Sequence, residues 1–224
     1  RKVLEGHRAR KVIDARGMVV MPGLVDTYGN AGHAITKNIG EHISGSATRR
    51  LGEFLNNTCT SEEYWYAEGQ ILALEHLKFG TTCFINRFVG ANVGWDSTHP
   101  EVNMRGIASV GLRQIMAVGA GRPPFPMVGT SWKNGRRRDK RMNLEECFQA
   151  AEEIIRRGDG ADEGRTRVWV GAPRLHAPTK LDPVFKPEYR EISFQQAKHV
   201  KRLTEKYGVG FHVNAYGEAI EWGH

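Results

Sequence analysis

The chain has 224 residues, 40% apolar and 25% charged, a globular composition that excludes intrinsic disorder. No window holds the ~18 uninterrupted apolar residues of a membrane span, and the start, RKVLEGHRARKVID, lacks a signal-peptide core, so a cytoplasmic protein is expected. The net charge is +7, and Cys59, Cys83 and Cys147 form no CxxC, which points to reduced, buried thiols.

In chain order, Lys11–Asp14 and Met18–Val20 are short β-rich runs separated by an Ala-Arg-Gly turn signal. After Pro22-Gly23, Leu24-Val25-Asp26 reads as the end of a buried strand. Thr58 to Gly80 reads as one helix, with Thr60 and Glu63 as a capping box and Tyr64, Ala67, Ile71, Leu74 and Leu77 as its apolar face. Gly80 suits the left-handed position after a helix, and Thr81–Ile85 is the next strand.

The alternation repeats with a helix over Pro100–Val110 and a strand over Leu112–Val118. Gly119–Met142 reads as irregular and carries the basic block GRRRDKR, residues 135–141. Leu144–Arg157 is a helix with Asn143 as N-cap, Arg167–Gly171 a strand, Ser193–Tyr207 a helix with a Ser193/Gln196 capping box, and Gly210–Ala215 a strand. Five strands separated by helices imply parallel βαβ units, and no phosphate-binding glycine motif follows any of them. The basic block reads as a solvated loop. Its alternative is a basic binding module using residues 135–141, but no aromatic is interleaved in it and nucleic acid is not the expected partner.

Beyond Val12 the chain resembles the metal-dependent amidohydrolase superfamily, in its cytosine deaminase/chlorohydrolase-like branch. VIDARGMVVMPGLVDT is similar to the stretch V-I-D-x-x-G-x-x-V-x-P-G-x-V-D-x-H-x-H, which leads from a small β-sandwich into barrel strand 1. EGQILALEHLKFGTTCFIN, VWVGAPRLHAPT and LTEKYGVGFHVNAYG resemble the segments around barrel strands 2, 4 and 5. The resemblance implies a partial TIM barrel, strands 1–5, over residues 23–224, preceded by a β-sandwich segment over residues 1–22. Eight strands close such a barrel, so a partner chain or a missing C-terminal half is expected to complete it.

The implied activity is hydrolysis of C–N or C–Cl bonds in cyclic, nucleobase-like substrates by a Zn²⁺- or Fe²⁺-bound hydroxide. In this chain the strand-1 ligand positions fall on Tyr28 and Asn30, the strand-5 position on Asn214, and the proton-shuttle position on Gly217. A register shifted by two residues puts His212 at the strand-5 position. A phenol and carboxamides are poor substitutes for imidazole, so the expectation is a degenerate centre, no bound metal, and a pseudoenzyme whose pocket is lined by Asp26, Tyr28, Asn30, His33, His176, His212 and Asn214. A small cyclic ligand is the expected occupant. The alternative is an active hydrolase whose zinc or iron site is rebuilt from His33, His176 and His212. Asp26 is expected to bond backbone N–H groups, and Glu75 to serve as a helix-surface or helix–loop partner.

Overall fold

The computed structural model describes residues 10–42, 44–89, 97–121, 123–172 and 189–213. Five parallel strands form one sheet in the order β1 (Leu24–Asn30), β2 (Thr81–Val89), β3 (Arg113–Gly119), β6 (Thr166–Ala172) and β7 (Phe211–Val213). The intervening helices are α1 (Gly45–Thr58), α2 (Glu62–Lys78), α3 (Thr98–Val110), α4 (Leu144–Gly158), the short α5 (Ala161–Gly164) and α6 (Tyr189–Tyr207). An antiparallel hairpin, β4 (Met127–Lys133) and β5 (Arg136–Met142), stands between β3 and α4. These are strands 1–5 of a TIM-type barrel, with a hairpin inserted after the third.

The sheet is curled. Four flat spacings would hold β1 and β7 about 19 Å apart. Instead, Tyr28 on β1 and His212 on β7 bring their ring centroids to 5.9 Å. The convex face is packed by helices. Met116, Val118, Val168 and Val170 of the sheet meet Trp65, Ile154, Ile155 and Leu203 of α2, α4 and α6 in one buried cluster. Each such side chain contributes about 1.5–3 kcal/mol of transfer free energy.

Glycine sets the α2–α3 approach. A Cβ on Gly69 would lie 2.5 Å from the Asn103 carbonyl oxygen, and one on Gly106 would lie 2.3 Å from that of Tyr66. Neither position has room for a side chain, and the two helices touch backbone to backbone.

Several expectations are corrected. The single helix from Thr58 to Gly80 is two helices, because the chain turns at Cys59–Ser61. Ser61, not Thr60, caps α2 by accepting from Tyr64 N at 3.2 Å. The buried face of α2 is Trp65, Glu68, Gly69, Leu72 and Ala73, while Ile71, Leu74 and Leu77 stay exposed. Leu24 and Val25 are exposed because β1 is an edge strand. Ser193 lies inside α6 and caps nothing. Of the three cysteines, all free, only Cys147 is buried.

Residues 10–23 contain no strand, so the runs at Lys11–Asp14 and Met18–Val20 lie open, with Val19 89% exposed. The basic block is not a loop but strand β5. The α4 helix matches its expectation, with a capping box between Asn143 and Glu146. Among the described residues no helix is long and apolar enough to cross a membrane.

Candidate functional site

The concave face of the curled sheet carries the candidate site. On β2, Phe84, Asn86 and Phe88 are buried against the helices, so alternation turns Arg87 toward the concave side. On β1 the pairing slips between Asp26, opposite Phe84, and Gly29, opposite Asn86. This bulge inserts one residue. Asp26 therefore shares the outer face with Phe84, whereas Tyr28 and Asn30 turn inward, Asn30 pairing with Arg87.

The consequence for Asp26 is direct. Its Oδ1 accepts from Tyr28 N at 3.0 Å, and its Oδ2 lies 3.1 Å from His76 Nε2 on α2. It braces the strand end against a helix and does not reach the concave face on which Tyr28 meets His212.

His212 is paired with Gly171 across β6 and β7. Its proton affinity is lowered, first by burial and then by the positive charge of Arg87. Its Nδ1 is buried and takes no hydrogen bond among the described residues. Beside it, a Cβ on Gly210 would lie 2.7 Å from the Trp169 ring, so glycine there lets the indole lie against β7. Tyr28, Arg87, Trp169 and His212 thus gather on one wall.

Behind β1 the loop from Ala31 to Thr36 is held by Glu68 of α2, which is fully buried. Its Oε1 accepts from Gly32 N at 2.7 Å and Ala34 N at 3.2 Å, and its Oε2 accepts from Asn103 Nδ2 at 2.8 Å. Asn103 Oδ1 in turn accepts from Asn86 Nδ2 at 2.9 Å, which joins α2, α3 and β2. Burial raises the Glu68 pKa, opposed by the bonds from Ala34, Asn103 and Gly32 and by the His33 charge. His33 itself is exposed, and no hydrogen bond or ring contact joins it to His212 among the described residues. Glu75 pairs with Lys37 of the same loop, as its helix–loop reading anticipates.

His176 and Asn214 lie outside the described residues. Among the described residues no three His, Cys, Asp or Glu side chains come together as a metal-holding group. Sequence reasoning missed Glu68 and Arg87. An acid at a helical position reads as surface, and a lone arginine in a strand gives no periodic signal. The signal for the hairpin was present in Asn134-Gly135, whose φ values of 52° and 71° make the two-residue turn.

No family model matches the chain. It is 25% identical over 209 residues to a 5-methylthioadenosine/S-adenosylhomocysteine deaminase of Desulforudis audaxviator, covering 92% of this chain and 39% of that protein. A protein of the same name from Acetivibrio thermocellus is 26% identical over 219 residues, covering 94% and 40%. The zinc complex of atrazine chlorohydrolase TrzN from Arthrobacter aurescens TC1 superposes with a TM-score of 0.62 at 13% identity, over 87% of this chain and 41% of that one. The chain spans about two fifths of the length of the curated relatives it matches. Its fold is a partial TIM-type barrel like that of the chlorohydrolase, and the relatives it resembles in sequence are named as deaminases.

Proposed function

We propose that the chain is an amidohydrolase-like half-barrel whose concave wall binds a small cyclic, nucleobase-like ligand without family-type metal catalysis. The observation that carries this reading is the contact of Tyr28 with His212 beside Arg87. A phenol at position 28 and a carboxamide at position 30 offer no basic nitrogen to Zn²⁺ or Fe²⁺. The guanidinium that lowers the proton affinity of His212 opposes a divalent cation at the same nitrogen by the same Coulomb repulsion. The residues present on this wall do not fit the family's metal. Trp169 and Tyr28 supply the flat apolar surfaces that a ring-shaped ligand stacks on.

The barrel is completed by further strands, from another chain or from the rest of a longer polypeptide. Among the described residues β1 and β7 are each paired on one side only, which together with the open run Met18–Met21 supports this reading. The segment 1–22 is assigned to a β-sandwich that such a completion would pair. A second reading, a rebuilt metal site of His33, His176 and His212, draws on the buried, unbonded Nδ1 of His212.

The test is to incubate the purified chain with 5-methylthioadenosine, with and without added zinc. A rise in thermal midpoint without deamination is expected. Deamination that a chelator abolishes would establish the second reading.

A further inference from the structure

The β4–β5 hairpin builds a cationic cleft that the interior site does not use. Pairing across the hairpin places Ser131 opposite Arg138, Gly129 opposite Lys140 and Lys133 opposite Arg136. These six share one face, because paired residues point the same way and alternate with period 2. With Met127 opposite Met142 on the same face, it is cationic at four of its eight positions and carries no acid. It overhangs the first turn of α3, and the space between is a cleft of about 360 Å³ reached by Ser131, Lys133, Arg138, Lys140, Thr98 and Glu62.

The acids bordering the cleft are already engaged. Glu62 takes Lys133 Nζ at 3.0 Å. Asp139 also borders the cleft, and its Oδ1 accepts from Thr130 Oγ1 at 2.6 Å and Arg137 Nε at 2.9 Å. Arg138 and Lys140 have no hydrogen bond or ion pair among the described residues. They are two residues apart on one strand face, about 7 Å along the strand. The hairpin is fixed in place, since Trp132 N donates to Thr60 O at 3.0 Å and Trp132 Nε1 to Thr58 O at 2.6 Å. Two cations without an internal counter-ion are thus held at a set spacing over a hydroxyl-bearing floor.

We propose that this cleft binds a small phosphorylated ligand, its phosphates taken by Arg138 and Lys140 with Ser131 and Thr98 as hydroxyl donors. Arginine forks onto phosphate oxygens in bidentate fashion, and lysine adds a point charge. The volume lies at the small end of ligand sites, which favours a diphosphate-sized group over a polymer.

The test is calorimetric titration of the chain with inorganic pyrophosphate, comparing Arg138→Gln and Lys140→Gln with Arg141→Gln. Arg141 pairs with Val128 on the opposite face, and its replacement removes the same charge. Saturable binding is expected, weakened about tenfold by either cleft substitution and barely changed by Arg141→Gln. Equal weakening by all three would show general charge attraction and overturn the site, as would a lack of saturable binding. A single-stranded RNA oligomer that binds and is not displaced by pyrophosphate would also overturn it, in favour of a polymer surface.

Discussion

Glu68 holds backbone rather than substrate: two N–H groups of the loop behind β1 and the amide of Asn103. Glu68→Ala would leave these donors buried without an acceptor, a loss of about 3 kcal/mol that chemical unfolding would read. The pH dependence follows from the raised folded-state pKa. A carboxyl that binds its proton more tightly folded than unfolded contributes stability that is fully present below the unfolded value. That stability is lost as pH rises through the folded one. In Glu68→Gln this fall in stability above pH 4.5, the ordinary glutamate value, should vanish from thermal melts followed across pH. None of this was legible in the sequence, since the three partners of Glu68 come from segments 34 to 36 residues away. That Tyr28 and Asn30 stand at the end of β1 was legible, because their spacing after Pro22-Gly23 is fixed by the motif around them.

Between helices, α2 and α3 approach backbone to backbone. Gly69→Ala raises helix propensity by about 1 kcal/mol yet places a methyl 2.5 Å from a carbonyl oxygen of the facing helix. Backbone cannot yield as a side chain can, so a net loss of about 2 kcal/mol is expected in urea unfolding.

The α4–α6 contact behaves differently. Glu152 of α4 takes Lys206 Nζ at 2.7 Å, Tyr207 Oη at 2.9 Å and Arg202 Nη2 at 3.0 Å from α6. The Lys206 bond leads in pulling its pKa from 4.5 down to about 2. A depressed folded pKa gives stability that is present above the unfolded value and lost as pH falls toward the folded one. Glu152→Gln should therefore flatten the acid side of the stability profile between 4.5 and about 2, as read by melts at fixed salt.

The element pattern itself was largely readable. Period-2 and helical spacing located β3, β6, α3 and α4 to within about two residues, because their apolar positions are covered within the chain, while β2 runs four residues beyond its expected end at Ile85. The α2 face was misread because apolar residues run on both of its sides, and only the packing of α3 selects Trp65, Gly69 and Leu72. The hairpin was missed because five cations among residues 136–141 mask the Asn134-Gly135 turn signal.

At the scale of the molecule, five parallel strands curl until the first and last exchange a ring contact. That curl was foreshadowed by the βαβ order, but the inward turn of Tyr28 depends on a bulge no sequence pattern announces. One solved structure of similar fold is a zinc complex, while this wall presents a phenol, a carboxamide and a guanidinium beside one imidazole. The most direct measurement is a zinc competition titration of the purified chain against a chromophoric chelator, repeated on His212→Ala. The account predicts no stoichiometric zinc in either protein. Zinc held at full stoichiometry by the unaltered chain and released by His212→Ala would contradict it.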